Sequence, residues 1–175
     1  EAIFLERNRN PEIEIKAVLP DHPVFGHCDS RQISRVLTNI IKNAAESIEA
    51  RLVSAGSDSE SGWVRITLSE DVDVSGAVRI VIEDNGKGLP DDHERLTEPY
   101  VTTREKGTGL GLAIVRKIME DHQGNLLLEN RDPQGAIVTL TLSAPEAEEA
   151  ALSETSKGDE AAALITAANL RPGTN

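Results

Sequence analysis

The chain has 175 residues, a formal net charge of −12, 38% hydrophobic residues and only four aromatic ones: Phe4, Phe25, Trp63 and Tyr100. That length holds one domain with appendages, and the core must be aliphatic. The charge argues against nucleic acid or an anionic membrane as the main partner, so any phosphate ligand would need locally placed cations.

One cysteine, Cys28, excludes an internal disulfide and fits a reducing compartment. It reads as a small buried hydrophobe within the run 24–28. No apolar run reaches the length of a transmembrane helix, and no signal peptide is visible. The chain begins at Glu1, which reads as a piece cut from a longer protein with any membrane anchor outside it.

Residues 1–11 form a polar entry segment. Residues 12–19 alternate polar and apolar side chains and predict a strand. Pro20 to Pro23 is a turn, and residues 24–28 predict a second strand, hairpin-paired with the first. Asp29 then caps a helix, with Gln32 three residues on in capping-box fashion. Ile33, Val36, Leu37, Ile40, Ile41, Ala44 and Ile48 repeat at helical spacing over about four turns, and the helix is expected over 29–53. Asn39, Asn43 and Glu46 lie together at the border of that apolar face. Asparagines are poor helix formers, and nothing local explains two of them.

Residues 56–62 are a polar loop. Residues 63–68 and 77–83 predict strands, with a turn over 71–76, and the second strand runs into Asp84-Asn85-Gly86-Lys87-Gly88-Leu89-Pro90. Residues 91–106 carry many charges and few apolar side chains, the composition of a long mobile loop. Gly107-Thr108-Gly109-Leu110-Gly111 opens a helix expected over 108–123 with Gly124 as its cap. The N–H groups at such a helix start suit a phosphate. Strands follow over 125–130 and 136–142, joined by the Asp132-Pro133-Gln134-Gly135 turn. From Pro145 the composition turns to Glu, Ala and Ser, an expected disordered tail over 145–175 after a domain spanning 12–144.

Three motifs stand in a fixed order: Leu37-Thr38-Asn39-Ile40-Ile41-Lys42-Asn43-Ala44, then Asp84-Asn85-Gly86-Lys87-Gly88, then Gly107-Thr108-Gly109-Leu110-Gly111-Leu112. They resemble the N box and the two glycine boxes of the ATP-binding domain of bacterial sensor histidine kinases, in the superfamily shared with gyrase, the Hsp90 chaperone and MutL. The likeness covers roughly residues 12–143. The wording Glu98-Pro99-Tyr100-Val101-Thr102-Thr103-Arg104-Glu105-Lys106 is similar to the nitrogen-regulatory kinases of the NtrY type.

The resemblance implies an α+β fold: a two-layer α/β sandwich of the Bergerat type, with a mixed sheet against two helices and nucleotide between them under a lid at 91–106. It implies that Asp84 accepts the adenine amino group and that Gly86 and Gly88 let the backbone pass beside the base. Asn43 would hold Mg²⁺ through its neutral oxygen, and Asn39 would support the phosphates or the metal's waters. Arg104 and Lys106 are the cations best placed for the β- and γ-phosphates, with Lys42 and Lys87 weaker candidates. Asn39, Asn43 and Arg104 are the expected catalytic residues. Gly107, Thr108, Gly109, Leu110 and Gly111 would form the phosphate-side loop. Glu46 is read as a surface carboxylate.

Three departures stand out. Gly135 is followed by Ala136 where many relatives carry Thr, so no hydroxyl is offered to the base there. Tyr100 stands where Phe is common, which should preserve packing. No histidine fits the phosphoacceptor pattern: His22, His27, His93 and His122 read as surface or packing residues.

The expected function is therefore the catalytic half of a two-component sensor kinase. It would bind Mg²⁺-ATP and pass the γ-phosphoryl group to a histidine on a separate dimerisation domain, for onward transfer to a response regulator. The isolated domain is expected to be monomeric and the whole protein a homodimer, with this domain on the cytoplasmic side of an inner-membrane sensor. A stand-alone ATPase is disfavoured because Asn39 stands where such relatives use a glutamate to orient water. A protein-serine kinase of the anti-sigma type and a pure interaction module are the other readings.

Overall fold

The computed structural model describes residues 11–55, 60–71, 76–98 and 109–143. The chain divides into two compact units, Glu1–Ala144 and Pro145–Asn175, and every described residue belongs to the first. Its elements are β1 (Ile13–Val18), α1 (Ser30–Ala55), β2 (Gly62–Glu70), β3 (Ala77–Asp84), a 3₁₀ turn at His93–Thr97, α2 (Gly111–Asp121), β4 (Asn125–Asn130) and β5 (Ala136–Ser143). The five strands form one sheet in the order β1-β2-β3-β5-β4. β1 runs parallel to β2, and the other neighbours are antiparallel.

Both helices cover one face of this sheet, which is the expected two-layer arrangement. Alternation decides which side chains they cover. Ile66 pairs with Ile82, Ile82 with Val138 and Val138 with Leu128, so one apolar row crosses four strands. Leu68, Ile80, Leu140 and Leu126 make the next row. Above them α1 buries Ile33, Val36, Ile40, Ile41, Ala44, Ala45 and Ile48, and α2 buries Val115, Ile118 and Met119. Full burial of each large aliphatic side chain contributes about 1.5–3 kcal/mol, which lets this core, with no buried aromatic among the described residues, hold the layers together. Among the described residues, no helix is long and apolar enough to cross a membrane.

Asp29 caps α1 as its position predicts. Its Oδ1 accepts the N–H of Arg31 at 2.8 Å and of Gln32 at 3.2 Å. His122 ties that start to the end of α2. One ring nitrogen, Nε2, accepts the Asp29 N–H at 3.0 Å, while Nδ1 lies 2.7 Å from the Ile118 carbonyl and so carries the ring proton. His122 is thus a packing residue between the two helices.

Several expectations change. Residues 24–28 form no strand, and β1 pairs with β2 through a β1-α1-β2 crossover instead of a hairpin. Pro20 and Pro23 have no N–H to give a ladder, and Phe25 is 69% exposed. Cys28 is exposed, not buried. α2 begins at Gly111 rather than Thr108. Its left-handed closing residue is Gln123 (φ +52), not Gly124. Glycine is needed at 124 for space: a Cβ there would lie 2.6 Å from Thr141 O and 2.8 Å from Met119 Cε. The segment 91–106, expected to be loop throughout, contains the 3₁₀ turn, whose Thr97 Oγ1 accepts a bond from Arg116 Nη1 of α2 at 3.0 Å.

Candidate nucleotide site

Asp84 is the last residue of β3 and continues the alternation of Ile80 and Ile82, placing its carboxylate on the helix-facing side of the sheet. It pairs across the ladder with Val64, a core residue. An aspartate here is only 5% exposed, so its oxygens need donors. Oδ1 accepts the Gly86 N–H at 2.8 Å, an Asx turn, and the Ala136 N–H at 3.4 Å. Ala136, which has no hydroxyl to offer, thus contacts Asp84 through its backbone.

Gly135 makes that approach possible. Its φ is +118, and a Cβ would fall 1.9 Å from Asp84 O. No side chain fits, so the β4–β5 turn lies directly on the Asp84 peptide. Gly88 is held similarly: φ is +83, and a Cβ would meet Asn130 Oδ1 at 2.8 Å and Gly135 O at 3.1 Å.

Asn85 points away from the loop. It is 3% exposed, its Oδ1 accepts the Trp63 N–H at 2.9 Å, and its Nδ2 donates to Ser61 O at 2.9 Å. It splices the end of β3 to the start of β2. Next to that splice, the Trp63 ring is contacted by two guanidinium groups, Arg65 at 5.4 Å and Arg131 at 4.7 Å from the ring centroid.

The second half of the site comes from α1. Asn39 and Asn43 are half-buried at the edge of the apolar face. Asn39 Nδ2 is buried and has no hydrogen-bond partner among the described residues. A buried donor left unpaired costs about 1–3 kcal/mol, so a ligand oxygen is the natural complement. Asn43 faces the start of α2, where a Cβ on Gly111 would sit 4.0 Å from Asn43 Nδ2. The N-cap residue Leu110 makes no side-chain capping bond, and Gly109 just before it has φ +66. The helix start therefore presents its amides beside the Asn43 amide, an arrangement suited to an anion.

Lys42 is exposed and pairs along the helix with Glu46 at 3.8 Å, on the solvent side of the asparagine stripe. Lys87 is exposed beside the Asp84 loop. Arg104, Lys106, Gly107, Thr108 and Tyr100 lie outside the described residues. The structure thus brings Asn39, Asn43, Gly109, Leu110 and Gly111 to one end of the helix layer and gathers Asp84, Gly86 and Gly88 at the end of β3. Ser47 joins the two groups, because its Oγ accepts the Lys87 N–H at 3.0 Å.

Sequence reasoning missed Ser47, Asn130 and Gly135 as parts of this site. Ser47 had a legible signal, standing four residues after Asn43 on the same helix face. Asn130 had none, because its importance comes from a strand distant in sequence, and Gly135 is legible as a turn glycine beside Ala136 but not for its packing on Asp84.

Residues 28–146 match the family described as Histidine kinase-, DNA gyrase B-, and HSP90-like ATPase. The chain belongs to this family. It is 45% identical over 152 residues to the nitrogen regulation protein NtrY of Azorhizobium caulinodans, an alignment covering 85% of this chain and 19% of that protein. The chain therefore spans about a fifth of the length of this curated relative. Among solved structures, a mycobacterial sensor histidine kinase, MprB, superposes with a TM-score of 0.67 at 26% identity, covering 82% of this chain and 89% of the other. Full-length ShkA in complex with AMPPNP superposes with a TM-score of 0.65 at 27% identity, covering 83% and 29%. The family's ATP-binding sandwich is the fold found here, and the NtrY likeness read from residues 98–106 agrees with the relative found.

Proposed function

We propose that residues 12–144 form the ATP-binding, phosphoryl-donating domain of a two-component sensor histidine kinase of the nitrogen-regulatory type, followed by an acidic tail. The observation that carries this reading is the pairing of two half-sites. A carboxylate oriented by backbone amides ends β3, and on α1 the buried Asn39 Nδ2, without a hydrogen-bond partner among the described residues, lies one turn before Asn43, which faces the start of α2. The first suits the exocyclic amine of a purine, and the second suits the oxygens of a triphosphate. ShkA's complex with an ATP analogue supports a nucleotide in this fold.

Asn43 and the phosphates would hold Mg²⁺, which neutralises phosphate charge when bound. Asn39 would donate to a phosphate oxygen or a metal-bound water. Arg104 and Lys106 would meet the outer phosphates. The step served is in-line transfer: an imidazole nitrogen of a partner histidine bonds to the γ-phosphorus, and the bond to the β–γ bridging oxygen breaks. ADP leaves with the electron pair. The domain's contribution is positioning and charge stabilisation.

The acceptor histidine would lie on a separate dimerisation domain of the same homodimeric sensor, with a response regulator downstream and this domain on the cytoplasmic side of the membrane. His122 is committed to helix packing and is no acceptor.

The deciding experiment incubates the chain with γ-labelled Mg-ATP and a candidate histidine-bearing dimerisation domain. Acid-labile, alkali-stable label on that domain's histidine is the expected result. Phosphate release without any partner would favour a stand-alone ATPase, and acid-stable label on a partner serine would favour a serine kinase.

A further inference from the structure

Residues 85–89 leave the end of β3, and side chains from three different elements catch their amides. Gly86 N–H donates to Asp84 Oδ1 at 2.8 Å, Lys87 N–H to Ser47 Oγ of α1 at 3.0 Å, and Leu89 N–H to Asn130 Oδ1 of β4 at 2.7 Å. Asn130 Nδ2 also donates to Leu89 O at 3.2 Å, so one side chain pairs with both polar groups of Leu89 as a neighbouring strand would. The contacts are close. A Cβ on Gly86 would lie 2.4 Å from Ser47 Oγ, and one on Gly88 would lie 2.8 Å from Asn130 Oδ1. The loop is thus wedged between α1 and β4 as well as bonded to them.

We propose that Ser47 and Asn130 are positioning residues for base selection. They hold the 85–89 backbone in place and, through the Gly86 N–H bond to Oδ1, fix the orientation of the Asp84 carboxylate. The proposal rests on reading Asp84 as the acceptor for a purine amine. A carboxylate tells an amine from a carbonyl oxygen at the same ring position because the carbonyl leaves it facing another acceptor. That discrimination survives only while the accepting oxygen stays where the ring must bind. Both restrain the loop just after Gly86, Ser47 Oγ at Lys87 and the Asn130 amide at Leu89. Ser47 also lies one turn beyond Asn43, so its hydroxyl sets the register between the phosphate-side helix and the base-side loop.

The test is calorimetric titration of the whole chain with Mg-ATP and with Mg-inosine triphosphate, whose base carries a carbonyl where adenine has its amine. The unsubstituted chain, Ser47→Ala, Asn130→Ala and the double variant are compared, with thermal melts recorded in parallel. The unsubstituted chain is expected to prefer ATP. Each single variant should lose about 3- to 10-fold in ATP affinity, the effect of loosening the loop by the one hydrogen bond of Ser47 or the two of Asn130. Inosine triphosphate affinity should stay within about 2-fold, so selectivity collapses further in the double variant. Equal losses for both nucleotides, or unchanged selectivity in a folded variant, would overturn the proposal and leave the two residues as stabilising contacts only. Should Asn130→Ala fail to fold, Ser47→Ala decides alone, because it removes only a hydroxyl. An unsubstituted chain that binds ATP without preference defeats the reading of Asp84 and the proposal together, and it does so before any variant is measured.

Discussion

Replacing Gly135 by alanine tests how rigidly the β4–β5 turn is pressed against the nucleotide site. The new Cβ would stand 1.9 Å from Asp84 O, 2.8 Å from Asp84 C and 3.0 Å from Asn85 Cα. Carbon and oxygen do not approach closer than about 3 Å without repulsion, so roughly 1 Å of backbone movement is needed. All three contacts are backbone atoms, and none can rotate away. The residue also has φ +118, a region open to glycine and costly for alanine by about 1–3 kcal/mol. Forcing the backbones apart adds about 1–3 kcal/mol of overpacking strain. The expected loss is about 2–6 kcal/mol, which in a domain of this size lowers Tm by about 5–20 °C. Gly76→Ala is the control. Its φ is +72, but no atom of the described residues lies within 4 Å of the added Cβ. It should cost only the left-handed conformation, about 1–2 kcal/mol. Thermal melts of both variants separate the two effects, and calorimetry below Tm should show ATP binding lost in Gly135→Ala and retained in Gly76→Ala. If Gly135→Ala melts no lower than Gly76→Ala, the turn gives way freely and the close packing on Asp84 confers no rigidity.

Other outcomes follow from the same geometry. Asp84→Asn keeps one oxygen for the Gly86 amide but turns an NH₂ toward the ligand side, so ATP affinity should fall about 10- to 100-fold with little change in Tm; unchanged affinity by calorimetry removes Asp84 from the site. Asn43→Ala should weaken ATP binding more with Mg²⁺ than with chelator present, and equal losses in both conditions count against metal ligation. The backbone bonds from Gln32 and Arg31 hold the Asp29 carboxyl below its ordinary value of 3.8. A depressed folded-state value means that the cap's stabilisation is complete only well above the ordinary value of 3.8 and is lost as pH falls through the lowered value. Asp29→Asn, which keeps a cap oxygen without the titration, should flatten that acid limb in urea melts; an acid limb identical to that of the unsubstituted chain would show that Asp29 does not contribute to it.

Much of this architecture was legible in the chain itself. The helical spacing of Ile33, Val36, Ile40, Ala44 and Ile48 specified α1 and its buried face, because a period of 3.6 admits no other element over that length. Alternation at 12–19 and short apolar runs bounded by turn residues elsewhere marked strands at 12–19, 63–68, 77–83, 125–130 and 136–142, each within a residue or two of those found. Asp84 was legible only as the residue after a strand; the structure shows that it continues the phase of Ile80 and Ile82 on the core face. The order of three motifs pointed to the family, since local chemistry at each one depends on residues within a turn or a loop.

Only the tertiary structure decided what pairs with what. Residues 12–19 and 24–28 looked like a hairpin because they are adjacent, yet β1 joins β2 across 43 intervening residues (Leu19 to Ser61) once α1 packs on the sheet. Cys28 followed apolar neighbours and still faces solvent. Ser47, Asn130 and Gly135 are an ordinary helix serine, strand asparagine and turn glycine until the fold brings them against residues 84–89. Secondary structure is set by neighbours a few positions apart, and the sequence carries that information locally. The clamp around Asp84 is set by α1, β4 and the β4–β5 turn converging on one loop, and that convergence exists only in the packed molecule.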